Sequence, residues 1–275
     1  MTNTTLISGE EENINAKTQS NRYTMTDIDK LWKQVVRRMK DKYLAPFYFF
    51  TAFYYITYTP FWDYPPATLT AALVKVLPIW SLVLYVKLNN YSNTAEIGNL
   101  KIFFVNFFQV SDYSKFILVG LLFSSLGDAF LISRYTLFIP GMIAFAFAHA
   151  FYMHAMPPGH IESRFTQICF LCGVDVYLFI SSGIQSVFMH TIVVIYTFLI
   201  FLVGWKALTN FEKARNVSNL ASAIGIVLFI FSDFIIAVDK WKFSVPFSQC
   251  IVMTSYYASQ YFLALSTGSS LKIYE

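Results

Sequence analysis

Two carboxylates stand inside stretches that are otherwise too apolar for water: Asp128 in LLFSSLGDAFLIS and Asp233 in IGIVLFIFSDFIIAV. A charge at bilayer depth costs about 2.5–3.5 kcal/mol even on insertion scales, so an acid retained there marks a functional site by default. Two carboxyl groups in low dielectric can divide labour. Burial and mutual repulsion keep one protonated, able to act as an acid, while the other stays ionised as a base or charge stabiliser. Lys75, in ALVKVLPIW, is a third charge within an apolar run. It offers a counter-ion for a carboxylate or a ligand for a lipid phosphate, unless it snorkels to the interface from a short helix.

Further residues extend this set. Asp175, in CGVDVYLF, is a spare acid that reads as a third site member or as the partner of Lys75. Tyr256 and Gln260, in TSYYASQYFLAL, are four apart and project from one helical face. They could hydrogen-bond a substrate oxygen or bind helix to helix. Ser125 and Ser232 lie beside the acids, and His149 and Tyr196 complete the additional candidates. A Ser-His-Asp triad is not expected, because His149 lies thirteen residues from the lumenal end of its span, roughly 20 Å in depth. His149 and His154 point to different faces, His160 falls in a loop and His190 sits on another span, so neither a metal nor another cofactor is expected. Cys169 and Cys172 form an isolated CxxC within a span and read as small buried side chains.

The elements that position these residues follow from composition. With 56% hydrophobic, 19% aromatic and only 13% charged residues, the chain exceeds what a soluble core hides and reads as an all-α, polytopic integral membrane protein. Windows of about 20 apolar residues, enough to cross the hydrocarbon layer, place eight spans near 44–62, 67–87, 115–133, 136–156, 165–183, 186–206, 217–239 and 245–266. Short connections make successive spans antiparallel neighbours in one compact bundle. With the N-terminus inside, 16 of the 20 Lys and Arg fall on one side and three (Arg134, Lys240, Lys242) on the other, Lys75 lying within a span. The bias predicts cytosolic termini, in a membrane expected to be that of the endoplasmic reticulum. In this topology Asp128 and Asp233 come out roughly 9–10 Å inside the lumenal end, and Lys75 and Asp175 about 12 Å. The two acids can therefore share one site.

Residues 1–25 read as a disordered cytosolic tail, and 26–43 as a basic amphipathic helix, on the membrane surface or leading into the first span. The catalytic domain is expected over 44–268, followed by a short cytosolic tail at 269–275. The segment at 101–110 is too short to cross and is expected at the interface. Sequons at Asn3, Asn90 and Asn216 fall on the cytosolic side and should be unmodified. The net charge of +4 follows from the topological bias and implies no nucleic-acid partner.

The blocks TLTAALVKVLPIW, ILVGLLFSSLGDAFLI, GMIAFAFAHAFYMHAM, ASAIGIVLFIFSDFIIAVDKW and VPFSQCIVMTSYYASQYFLALS resemble, in order and spacing, the motifs of the YhhN-like lysoplasmalogenases, especially their animal transmembrane branch. Val76 stands where bacterial members usually carry proline, and proline follows at Pro78. The resemblance implies an eight-span hydrolase, free of cofactor, that cleaves the vinyl ether of lysoplasmalogen. Its products would be a fatty aldehyde and glycerophosphoethanolamine or glycerophosphocholine. That reaction suits the residues read above, with Asp128 and Asp233 as the expected catalytic residues and Lys75, Tyr256 and Gln260 as the expected substrate-binding ones. Lysophospholipid and bilayer lipids are the expected partners, and a homo-oligomer is compatible with the sequence. The alternatives are an inactive paralogue and a lipid-binding transporter or sensor whose intramembrane acids titrate.

Overall fold

The computed structural model describes residues 28–58, 64–90 and 110–268. The expected tails at 1–25 and 269–275, and all of 101–110 except Val110, lie outside them. A helix falls in each expected window: α1 Ala45–Tyr58, α2 Leu69–Asn90, α3 Asp112–Leu131, α4 Phe138–Ala155, α5 Arg164–Ser181, α6 Val187–Lys213, α7 Val217–Trp241 and α8 Ser248–Ser266. No strand occurs among the described residues. The protein is an all-helical, multi-pass integral membrane protein.

Six of these helices, α2 to α7, are long and apolar enough to cross a membrane. The eight expected crossings are therefore supported for six. Helix α1 has 14 described residues, about 21 Å at 1.5 Å per residue. Helix α8 is long enough but carries Gln249, Thr254, Ser255, Ser259 and Gln260. It tolerates them because 13 of its 19 residues are buried, Ser255, Ser259 and Gln260 among them, so these polar side chains meet protein rather than lipid.

Close approach of backbones fixes the site-bearing helices. A Cβ at Gly120 would stand 2.2 Å from the Tyr152 ring and one at Gly127 would stand 2.6 Å from Phe145. These two glycines let α4 aromatics close against α3 beside Asp128, as small residues do in membrane helix packing. Pro78 withdraws one amide donor from α2 near Lys75, and Tyr257 on α8 donates to the Lys75 carbonyl at 2.8 Å. Before α1, a helix over 28–39 docks on the bundle through fully buried Val35. Leu31 and Met39 pack beside it.

Candidate active site

Lys75, Asp128 and Tyr256, from three different helices, meet in one buried cluster. Lys75 Nζ lies 3.2 Å from Asp128 Oδ1, and Tyr256 OH donates to Asp128 Oδ2 at 2.6 Å. Both carboxylate oxygens are thus engaged, one by a cation and one by a phenol. A buried carboxylate persists in its charged form only with such pairing.

A second cluster surrounds Asp233. Tyr196 OH donates to Asp233 Oδ2 at 2.5 Å, His149 Nε2 is 3.2 Å from the same phenol, and it lies 3.6 Å from Asp233 Oδ2. If His149 carries its proton on Nε2, a donor chain runs from imidazole through phenol to carboxylate. Aromatic rings bridge the clusters: Phe145 and Phe229 each touch Tyr256, with centroids 5.8 and 5.6 Å away, and Phe229 also meets the His149 ring at 4.4 Å in a tilted contact.

Asp233 and Tyr196 line an apolar cavity of about 70 Å³ with Met142, Phe145, Ile180 and Val193. A more polar vestibule of about 110 Å³ carries Lys75, Arg134, Lys240, Tyr64 and Asp239. Leu131, Phe138 and Ile236 line both, so the two spaces adjoin. Thr197 and Phe201 likewise join the apolar cavity to an outer groove of about 400 Å³ between α5 and α6. In the vestibule the Arg134 guanidinium stands 3.7 Å over the Tyr64 ring, and Tyr64 OH donates to Asp239 Oδ2 at 2.8 Å. Burial pushes the Tyr64 hydroxyl above its ordinary range, which keeps it a donor at neutral pH.

Several sequence expectations are corrected by this geometry. His149 was placed too deep to meet an acid. Side chains lean toward the N-terminus of their own helix, and α4 and α7 run in opposite directions, so His149 and Asp233 lean toward each other. Neither Ser125 nor Ser232 completes a triad with them, since Ser125 donates to the Leu122 carbonyl and Ser232 to the Val252 carbonyl. Asp175 is exposed on α5 and is not the partner of Lys75. Gln260 accepts from Tyr152 OH at 2.6 Å, and that phenol is 3.1 Å from Ser124 Oγ, so it ties α8 to α4 and α3. No three His, Cys, Asp or Glu side chains converge among the described residues.

Sequence reasoning did not single out Tyr152, Tyr257 or Tyr64 as site neighbours, and used Arg134 and Lys240 only as topological markers. Tyr152 follows His149 by three residues on α4 and Tyr257 adjoins Tyr256. That adjacency was the available signal.

Fold and site together define a multi-pass membrane protein with two intramembrane carboxylates, one ion-paired and one open to an apolar cavity. Residues 70–267 match the YhhN family, and the chain belongs to it. A Bos taurus relative named "Lysoplasmalogenase TMEM86A" is 31% identical over 82% of this chain and 89% of its own length. The Homo sapiens protein of that name is 29% identical over the same shares, and "Lysoplasmalogenase TMEM86B" of Sus scrofa is 27% identical over 84% and 89%. No solved structure matches.

Proposed function

We propose that the protein is a lysoplasmalogenase, an ether hydrolase that cleaves a vinyl ether lysophospholipid with Asp128 and Asp233. The observation that most supports this reading is the junction of a vestibule bearing Lys75, Arg134 and Lys240 with an apolar cavity walled by Asp233. A lysoplasmalogen has that shape in chemical terms: a phosphate headgroup, then the reactive vinyl ether, then an apolar chain. The chain would continue toward the groove between α5 and α6.

Asp233 delivers a proton to the outer alkene carbon. The π electrons form the new C–H bond, and the ether oxygen lone pair completes an oxocarbenium ion. Asp128, held as a carboxylate by Lys75 and Tyr256, stabilises that cation and takes a proton as water adds to it, a division of roles like that of paired carboxylates in glycoside hydrolysis. The hemiacetal hydroxyl then gives up its proton, the carbon–oxygen bond to glycerol breaks, and the glycerol oxygen takes a proton. Fatty aldehyde and glycerophosphoethanolamine or glycerophosphocholine leave, Asp128 gives its proton back to water, and His149 and Tyr196 relay a proton from water to Asp233, so that both acids regain their starting state. Residence in the endoplasmic reticulum with both termini cytosolic is part of this proposal.

The test is incubation of the purified protein with lysoplasmalogen and with its saturated ether analogue, scoring free aldehyde. Aldehyde from the vinyl ether alone supports hydrolysis. Lipid movement between vesicle leaflets without aldehyde would favour a transporter built on the same acids.

A further inference from the structure

We propose a second ligand site, for an anionic lipid headgroup bearing a phosphomonoester, in the cleft beneath the helix at 28–39. This cleft of about 840 Å³ is lined by Arg37 and Arg38, by Tyr113 at the start of α3, and by Arg215, Ser218 and Asn219 at the start of α7. Those are the ends of α3 and α7 opposite the candidate active site. From Asn219 to Asp239 along α7 is roughly 30 Å at 1.5 Å per residue, so the cleft is no extension of the vestibule.

Three guanidinium groups face this space and no carboxylate lines it. Arg37 and Arg215 make no ion pair among the described residues, and Arg38 is held by neutral acceptors, the Leu265 carbonyl at 3.0 Å and Ser218 Oγ at 3.4 Å. Asp112 adjoins the cleft on α3 without lining it. Clustered guanidinium groups match phosphate oxygens in geometry as well as charge. Helices α3 and α7 add the positive ends of their dipoles, although Ser111 and Asn216 already cap amides there. A lipid is favoured over a soluble ester because the covering helix leaves Ile28 and Trp32 exposed, at 43% and 45%. Such residues seat an amphipathic helix at the headgroup level.

The experiment measures binding of full-length protein in micelles to a phosphatidylinositol phosphate, to phosphatidylserine and to soluble inositol trisphosphate. Arg37→Gln/Arg215→Gln is compared with Lys213→Gln, an exposed cation at the same end outside the cleft. The expected result is preference for the phosphomonoester lipid and loss of at least about tenfold in affinity for it in the double variant, with Lys213→Gln unchanged. Equal binding by the double variant, or an equal loss in Lys213→Gln, overturns the site. Tight binding of the soluble trisphosphate without preference for the lipid overturns the lipid assignment, and equal binding of phosphatidylserine overturns the phosphomonoester. Because binding is scored without aldehyde release, these outcomes are independent of the catalytic reading.

Discussion

Lys75 and Asp128 form an ion pair of 3.2 Å between two side chains that are only 6% and 3% exposed. The pair explains how α2 and α3 can each hold a charge within an apolar run. Removing one partner strands the other, at a cost of about 3–5 kcal/mol, whereas removing both with apolar replacements is often neutral. Asp128→Ala should therefore lower thermal stability sharply, and Lys75→Met/Asp128→Ala should recover most of it while remaining inactive. Thermal melts in detergent read this, and a double variant no more stable than Asp128→Ala would count against the pairing.

The same contact decides how Lys75 acts in turnover. Because its ammonium touches the proposed catalytic carboxylate, Lys75→Met should lower kcat more than it raises KM. Arg134→Gln and Lys240→Gln, which change the vestibule, should do the reverse if they contact the substrate phosphate. Steady-state kinetics on lysoplasmalogen separates the two patterns. A rise in KM alone for Lys75→Met would return that residue to simple phosphate binding.

Tyr196→Phe removes a 2.5 Å hydrogen bond to Asp233 without emptying space. A hydrogen bond to an ionised group contributes about 1.5–3 kcal/mol. If that contribution is specific to the transition state, kcat should fall roughly 10–100-fold at unchanged KM. His149→Gln should alter the pH profile of kcat as well as its size. An unchanged profile in both variants would remove the imidazole and phenol from proton return.

Asp175→Asn should leave kcat and KM unaltered, since the residue is exposed on α5 and joins neither acid cluster. A large loss of activity would show that an acid on the outer face of the bundle participates.

The helices and both key acids were legible because burying a charge in an apolar run is costly enough to stand out in one sequence. Counting depth from a shared helix end put Asp128 and Asp233 at one level, but each acid gathers its own cluster, one with Lys75 and Tyr256 and the other with Tyr196 and His149. The count failed for His149 because rise along the axis ignores the opposed lean of side chains on antiparallel helices. The charge of Asp175 was visible but the face it occupies was not, since α5 is apolar on several sides. The roles proposed for Arg134 and Lys240 depend on how the turn after α3 and the last turn of α7 come to line one vestibule, which no local pattern encodes. Tyr152 and Tyr257 were hidden among 18 tyrosines.

The central claim, protonation of carbon by the Asp233 carboxyl group, is tested most directly by turnover in D₂O with the aldehyde reduced as it forms. Protonation of the alkene predicts slower turnover in D₂O than in H₂O. One deuterium should appear at the α-carbon of each product, with formation at least about a hundredfold slower in Asp233→Asn. Aldehyde formed without deuterium at that carbon, or at an undiminished rate by Asp233→Asn, would contradict the account.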